Sequence, residues 1–490
     1  MLGPKLLLIL ICTSLVVLSA LPVLVSCYQF LLLLLSFRAT HLEQSSHHLP
    51  RVSILIPAWN EGAVIGTTID RLMRLRYPLD RLRVYVIDDA STDETPHVAI
   101  AKHKLYPRNV FHIRRVAGGE GKAHTLNYGL HVLWRNEWTE AVLIMDADVI
   151  YTPDSLVRMA RHLADPEIGA VTAYIKEGSR SPNYVQRYVT FEYITATGAS
   201  RRAQNVMGFL ACLSGGAQLH SRENLLAIGG QIFSDTLAED TFTTFRTQLS
   251  GRRALFEPNA IVYAEEPDSL FMLWKQRLRW ARGNVQITQV FWSLWFNRRQ
   301  HLSLGSTAMG LLWFSIFLMP VFQITGALGL VVLYGVDESL SWTLFRSFWI
   351  VAALVYLFVT AVSLAIDWES GRKSWGEGVL FPGLISLSII VYSLLPTLFD
   401  PLLEAVLADH DGLRRAGIVF VYLWLALSML VSYTAMVVEK RPRWAWLAPA
   451  LLLLGGYGSL LCAVTLGAYV KELSGASRSW DKTVKTGKVG

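Results

Sequence analysis

The sequence predicts an α/β fold, a mostly parallel sheet flanked by helices, inserted between N-terminal and C-terminal transmembrane helices. Three observations predict it. No charged residue occurs from Leu6 to Phe37, and about 20 apolar residues suffice to cross a bilayer. From His41 to Asn284 short, uniformly apolar runs alternate with helical stretches, the pattern of strands buried on both faces by helices. After Asn284 long charge-free runs return.

The chain has 490 residues, 52% of them hydrophobic and 17% charged. Soluble domains carry about 25% charged residues, so an entirely soluble or disordered chain is excluded. The net charge is +7. Lys and Arg flanking apolar spans account for that sign. With no zinc-finger spacing and no isolated basic arm, no nucleic-acid partner is expected. Four cysteines, Cys12, Cys27, Cys212 and Cys462, form no CxxC pair, so neither a disulfide framework nor a zinc site is indicated.

The elements follow in order. Residues 1–40 read as a retained transmembrane anchor of one or two spans, with Pro22 near the middle where a hairpin would turn. Its apolar core exceeds the usual 7–15 or so residues of a signal peptide. In the central domain, 50–284, Val52–Pro57, Val84–Ile87 and Ala141–Met145 read as strands, and Ala63–Leu75 and Thr95–Lys104 as helices. Ligands of such sheets sit at the carboxyl ends of the strands. There the sequence places Asn60-Glu61, Asp88-Asp89 and Asp146-Ala147-Asp148. In 285–301, Ile287, Phe291, Leu294 and Trp295 share one helical face, closed by Arg298-Arg299. That reads as an interfacial amphipathic helix, a core helix of the central domain being the alternative.

Residues 302–471 hold the runs Leu302–Val336, Ser347–Ile366, Gly378–Phe399, Ala416–Val438 and Trp444–Val470, giving four or five spans. Arg372-Lys373 and Glu439-Lys440-Arg441 would face the cytosol and Asp337-Glu338 the outside. The expected location is a multi-pass plasma (bacterial inner) membrane with the central domain cytosolic. Five spans would place the basic tail, 472–490, outside, although Arg478, Lys482, Lys485 and Lys488 favour the inside. Either a segment is re-entrant, with the Pro396/Pro401 region the candidate, or the tail breaks the rule.

Several constellations carry chemistry. Asp146 and Asp148 stand on alternate residues at a strand end. Two hard oxygen donors so placed suit Mg²⁺ or Mn²⁺, which in turn bind a diphosphate; alone, such a pair is also a solvated turn. Asp89 could accept from a uracil imide or a ribose hydroxyl, whereas Asp93 reads as an Asx turn or cap. Gly118-Gly119-Glu120-Gly121 would let backbone approach phosphate oxygens, and Lys122 adds a positive charge. Glu239-Asp240 precede a helix, where a carboxylate takes a proton from an acceptor hydroxyl or caps the helix. Gln276, Arg279 and Trp280 share a helical face at i, i+3 and i+4. They offer an amide, a charge for diphosphate and a flat surface for a sugar ring.

These stretches in this order, PAWNE (57–61), VIDDAST (86–92), GKAHTLNYGL (121–130), DADV (146–149), SGG (214–216), AED (238–240) and QRLRW (276–280), resemble membrane-embedded processive members of glycosyltransferase family 2. That group includes the poly-N-acetylglucosamine, cellulose and hyaluronan synthases. The resemblance covers about Val52 to Gln300 and implies a GT-A-type domain. It implies an inverting transfer from a UDP-sugar donor to a growing β-linked polysaccharide, coupled to export. Pro57, Asn60, Glu61 and Asp89 then look like nucleotide contacts, with Lys122 near the phosphates. Asp146 and Asp148 look like the diphosphate and metal pair. Asp240, with Glu239 beside it, looks like the catalytic base. Gln276, Arg279 and Trp280 look like the signature that holds the diphosphate and the acceptor end. The family commonly has Thr where this chain has Ala238. The stretch Val362–Gly371 is similar to one in poly-β-1,6-N-acetylglucosamine synthases, which favours UDP-N-acetylglucosamine. QRLRWARGNVQ is similar to cellulose- and curdlan-type synthases, which keeps UDP-glucose as the alternative. A lipid acceptor giving a glycolipid is the other alternative, and a small membrane accessory subunit is a further partner that the resemblance allows.

Overall fold

A computed structural model describes residues 3–36, 48–407 and 410–477; the tail beyond 477 lies outside them. The chain divides into two compact units. A sheet unit comprises 32–268 and 283–310, and a helical unit comprises 1–31, 269–282 and 311–476.

The sheet unit holds β1 (Val52–Ala58), β2 (Leu82–Asp88), β3 (Val110–Arg114), β4 (Ala141–Ile144), β5 (Ile150–Tyr151), β6 (Ile168–Glu177), β7 (Gln218–Ser221) and β8 (Arg253–Ala264). Among the described residues they form one sheet in the order β3-β2-β1-β4-β7-β6-β8-β5. The half β3-β2-β1-β4 is parallel, as expected. Beyond β4 the sheet is mixed: β7 runs antiparallel to β4 and β6, β6 pairs parallel with β8, and β5 pairs antiparallel with β8. Val52, Ile54, Ile56, Val84, Val86 and Leu143 are buried in one cluster with Val64, Ile65 and Ile69 of the helix Gly62–Leu72. On the other face Leu55, Ile87, Val142 and Ile144 pack against Leu126 and Leu130 of the helix Lys122–Leu133. Helices on both faces explain why these strands are apolar throughout. Register matters for function: Pro57 pairs with Ile87 and Ala58 with Asp88, so PAWNE and DDAST emerge together at one edge.

The segment 285–301 departs from expectation. It is not a helix of its own. Residues up to Val290 continue the helix Leu270–Val290, and 291–296 are turns. Its apolar face is occupied by protein. The Phe291 ring lies 5.3 Å from Phe242 and 5.1 Å from Phe245, and Trp295 lies 5.9 Å from Phe245.

In the helical unit, Met319–Val336, Glu338–Ile366 and Asp411–Glu439 are long and apolar enough to cross a membrane, as is the N-terminal helical run Pro4–Leu35; the chain is a membrane protein. Two bent pairs, Trp368–Leu380 with Leu384–Leu394 and Ala445–Gly455 with Tyr457–Leu473, bend by 74° and 99°. Glycines allow close approach between helices. A Cβ on Gly326 would meet Ser19, and one on Gly329 the Cys12 carbonyl.

Candidate active site

The edge formed by β1 and β2 is laced by short polar contacts. Asn60 has φ +54°, a left-handed conformation that Asn tolerates better than most residues. Its Oδ1 accepts from the Thr92 N–H at 2.8 Å, and its own N–H donates to Ser91 Oγ at 3.0 Å. The Glu61 N–H donates to Thr95 Oγ1 at 2.7 Å, and the Gly62 N–H to Asp93 Oδ2 at 3.0 Å. Asp93 also accepts from the Thr95 N–H at 2.9 Å, so it makes the expected Asx turn and ties the two loops together.

The two aspartates ending β2 part company. Asp88 is fully buried and accepts from the Ser91 N–H at 2.8 Å, with His112 Nε2 at 3.2 Å and Arg114 at 3.5 Å. Burial pushes its carboxyl up, but the bonds from His112 and Ser91 prevail and hold it below the usual range. Asp89 faces the glycine loop. Its Oδ2 accepts from the Gly119 N–H at 3.0 Å, and its Oδ1 pairs with Arg115, which also pairs with Glu120. Burial opposes the Arg115 charge, and Glu120 and Asp89 more than offset it, so its pKa is raised. Gly118 must be glycine, because a Cβ would strike the Asp89 carbonyl. Arg115 was absent from the expected site. Its position, directly after an apolar strand and before a glycine loop, was the available signal.

Past this loop the acids converge. Lys122 opens the helix Lys122–Leu133. Its Nζ lies 2.5 Å from Asp146 Oδ1 and 3.8 Å from Glu239 Oε1, and donates to the Gly215 carbonyl at 3.0 Å. The lysine side chain is only 7% exposed. Burial alone would lower its pKa. The carboxylates of Asp146, Glu239 and Asp240 reverse this, so the ammonium is held above its ordinary range. Asp146 follows β4, and the next carbonyl, Ala147, accepts from Thr68 Oγ1 at 2.6 Å, which pins the turn. Asp148 is two residues on, part-buried. Glu239 and Asp240 open the helix Glu239–Leu249, and Asp240 Oδ1 accepts from the Thr241 N–H at 2.7 Å.

The strip Ser214-Gly215-Gly216 runs between these acids. A Cβ on Gly215 would lie 3.3 Å from Asp240 Oδ2 and 3.3 Å from Lys122 Nζ; one on Gly216 would lie 3.2 Å from Asp146 Oδ2. Glycine therefore lets backbone pass between the two carboxylates. Arg201, from the helix Ser200–Met207, donates to Ser214 Oγ at 2.5 Å behind this strip. Burial lowers its pKa even though Cys212 and Asp240 pull the other way.

Gln276, Arg279 and Trp280 belong to the helical unit, while the acids belong to the sheet unit. They sit, as expected, on a helix, Leu270–Val290. Gln276 is buried, and its Oε1 accepts from Arg277 Nη1 at 2.5 Å; the Arg277 guanidinium lies 4.1 Å from the Trp280 ring centroid.

Asp146 and Asp148 fit a hard divalent cation. They are oxygen donors, and one already carries a cation, the Lys122 ammonium. Among the described residues no three His, Cys, Asp or Glu side chains group to hold a metal ion. Among the described residues, Asp146 and Asp148 are the two carboxylates that would hold such a cation, with a diphosphate and water supplying the other oxygens.

Residues 50–283 match the family described as glycosyltransferase like family 2. The poly-beta-1,6-N-acetyl-D-glucosamine synthase of Staphylococcus aureus (strain COL) is 28% identical over 237 residues, 48% of this chain and 55% of that protein. The chain thus spans about half the length of that relative. The Bacillus subtilis (strain 168) protein named "Probable glycosyltransferase YdaM" is 26% identical over 329 residues, 66% of this chain and 76% of its own. Among solved structures, a mannosyltransferase from Pyrobaculum calidifontis in complex with GDP-Man and Mn²⁺ aligns with a TM-score of 0.49 and 22% identity, covering 78% of this chain and 99% of that one. The domain on which Lys122, Asp146, Glu239 and Asp240 converge is a glycosyltransferase domain of family 2.

Proposed function

We propose that this chain is a membrane-bound, inverting glycosyltransferase that moves a sugar from a UDP-sugar, UDP-N-acetylglucosamine in the first instance, to a growing β-linked polysaccharide. The sheet unit would face the cytosol, and the reaction would be processive and coupled to export. The observation that carries the reading is the convergence of Lys122, Asp146, Glu239 and Asp240 on the Gly215-Gly216 backbone. A base and a cationic group around one glycine-lined gap suit a single displacement. Asp240 takes the proton from the acceptor hydroxyl as that oxygen attacks the anomeric carbon. The bond to the UDP oxygen breaks, and negative charge grows on the diphosphate. Lys122 is placed to balance that charge, and Arg279 is the second candidate to do so. A divalent cation held by Asp146 and Asp148 would add Lewis-acid stabilisation of the leaving diphosphate. Asp89, latched by Arg115 and Gly119, would receive the nucleoside. The polysaccharide product is favoured by likeness to the staphylococcal synthase and by the number of apolar helices.

Purified protein given UDP-N-acetylglucosamine and Mn²⁺ should release UDP and build long polymer. UDP-glucose as the better donor would change the sugar. One or two sugars on a lipid would replace the polymer reading with a glycolipid one. Asp240→Asn should abolish turnover, by about 1,000-fold or more, while UDP binding measured by calorimetry is retained. Full turnover in that variant would remove Asp240 from the mechanism.

A further inference from the structure

Within the helical unit, the segment 269–282 that carries Gln276, Arg279 and Trp280 is gripped at two points. At its start the Leu270 and Phe271 N–H groups donate to Glu439 Oε1 and Oε2 at 3.1 and 2.9 Å. Those N–H groups have no intrahelical partner, and an anion is favoured there. Farther along, Arg282 Nε donates to Glu472 Oε1 at 2.5 Å, and its Nη2 to the Ala476 carbonyl at 2.8 Å. Glu439 ends the helix Asp411–Glu439, and Glu472 stands in the last turn of Tyr457–Leu473.

These two contacts limit how the intervening chain can lie in a bilayer. Leu270 and Arg282 are about 18 Å apart along their helix, whereas the hydrocarbon core is about 30 Å thick. Ends that meet one helix so close together do not sit on opposite faces. The interior contacts trace a descent and a return. Ser432 Oγ donates to the Gly456 carbonyl at 2.9 Å, and Ser459 Oγ to Ser428 Oγ at 2.9 Å. Ser428 is about 16 Å from Glu439 along its helix, roughly half the core. From there Cys462 and Ala463 pack on Met429, Gly467 meets Trp274, and Glu472 reaches Arg282. The turn between the arms falls at Gly455-Gly456, where Gly456 has φ +93°.

The other bent pair behaves differently. Beyond Leu394, Asp400 accepts from Arg346 Nη2 at 2.6 and 2.7 Å, and Arg346 stands about 12 Å from Glu338 along its helix. Glu338 and Arg414, 4.0 Å apart, bring the starts of two long helices together. That pair therefore runs from the Ile366 end of one long helix to the Glu338 end.

We propose that residues 445–473 form a re-entrant hairpin that enters and leaves the bilayer on the face where Glu439 ends its helix, so that Glu439 and Glu472 clamp the helix bearing Gln276, Arg279 and Trp280 from one side. Met319–Val336, Glu338–Ile366, the 74° pair and Asp411–Glu439 are then the crossings that follow the sheet unit. Residues 474–477 then share a face with Lys440-Arg441, the side that the composition of the basic tail favours. On this proposal the re-entrant element is 445–473, in place of the Pro396/Pro401 region. Glu439 and Glu472 act as positioning residues, a role that rests on the proposed function; the hairpin does not.

Two full-length chains decide the hairpin, one with an epitope tag inserted between Pro442 and Arg443, the other with a tag after Gly490. In sealed vesicles of defined orientation, protease should remove both tags from the same vesicle population. Removal from opposite populations overturns the hairpin. For the clamp, Arg282→Glu and Glu472→Arg should each lower kcat for UDP release about tenfold with little change in donor KM, and the double variant should restore most of it. Single variants without effect, or a double variant no better than either, overturn the clamp. A wild-type chain that releases no UDP would sink the proposed function and leave the tag result standing.

Discussion

Lys122 governs the electrostatics of the acid cluster. Its side chain lies between Asp146 and Glu239 with almost no solvent. Replacing it with alanine leaves three carboxylates, Asp146, Glu239 and Asp240, without their shared cation. Lys122→Ala should lower UDP release about 100-fold, the cost typical of losing one charge-stabilising donor. Lys122→Arg should not restore it, because a planar guanidinium does not fit where one nitrogen reaches Asp146 and the Gly215 carbonyl together. Recovery in the arginine variant would show that charge alone suffices. His220 is a different kind of buried titratable group. Burial lowers its pKa to about 3, and it lies between Gln218 and Asn224. An unfolded histidine titrates near about 6.5. Between those values the unfolded chain binds the extra proton, so stability is full above about 6.5 and falls by about 1.4 kcal/mol per pH unit as pH drops toward 3. His220→Gln should flatten that slope in thermal unfolding between pH 6 and 4, and an unchanged slope would clear His220 of the acid sensitivity. Asp146, Asp89 and Asp93 were legible in the sequence because each follows an apolar strand or opens a turn. His220 was not, since one histidine among Gln218, Leu219, Ser221 and Arg222 gives no sign of its burial or its partners.

At the scale of elements, the loop from Arg115 to Gly121 links the edge formed by β1 and β2 to the acid cluster. Asp89 holds it through Arg115 and the Gly119 N–H, and three residues later the chain reaches Lys122. Arg115→Ala should loosen Asp89 and the loop together. Donor KM should rise about tenfold with kcat little changed, the mark of lost ground-state binding. A fall in kcat at constant KM would place Arg115 with the reacting groups instead. Strands β1, β2 and β4 were readable because helices cover both their faces, which demands unbroken apolar runs. Strands β5 and β7 have two and four residues, too few for any period to show. The segment after Asn284 was misread for a physical reason as well. Phe291 and Trp295 present the same apolar face whether they meet lipid or, as here, Phe242 and Phe245.

At the scale of the whole molecule, one helix belongs to both units. Leu270–Val290 carries Gln276, Arg279 and Trp280 in its first part, and from Gly283 onward it belongs to the sheet unit. There it packs on the turn that leads into Glu239-Asp240. Gln286 Oε1 accepts from the Leu237 N–H at 2.9 Å and from Thr236 Oγ1 at 3.2 Å. A Cβ on Gly283 would lie 2.6 Å from the Ala238 Cβ and 3.1 Å from its backbone nitrogen. The family's usual Thr at 238 is thus replaced by a small residue at a site where the helix backbone comes close. Gly283→Ala should force the turn and helix apart at a cost of about 1–3 kcal/mol of overpacking. Because that strain falls one residue before Glu239, it should disturb Glu239-Asp240 more than the edge formed by β1 and β2. The expected result is kcat lowered about tenfold or more with UDP affinity unchanged, measured on folded protein checked by its thermal transition. A variant that loses UDP affinity in step with kcat would mean that the strain spreads through the domain, and the close approach at Ala238 would then be a general support of the sheet unit and not a specific constraint on Glu239-Asp240.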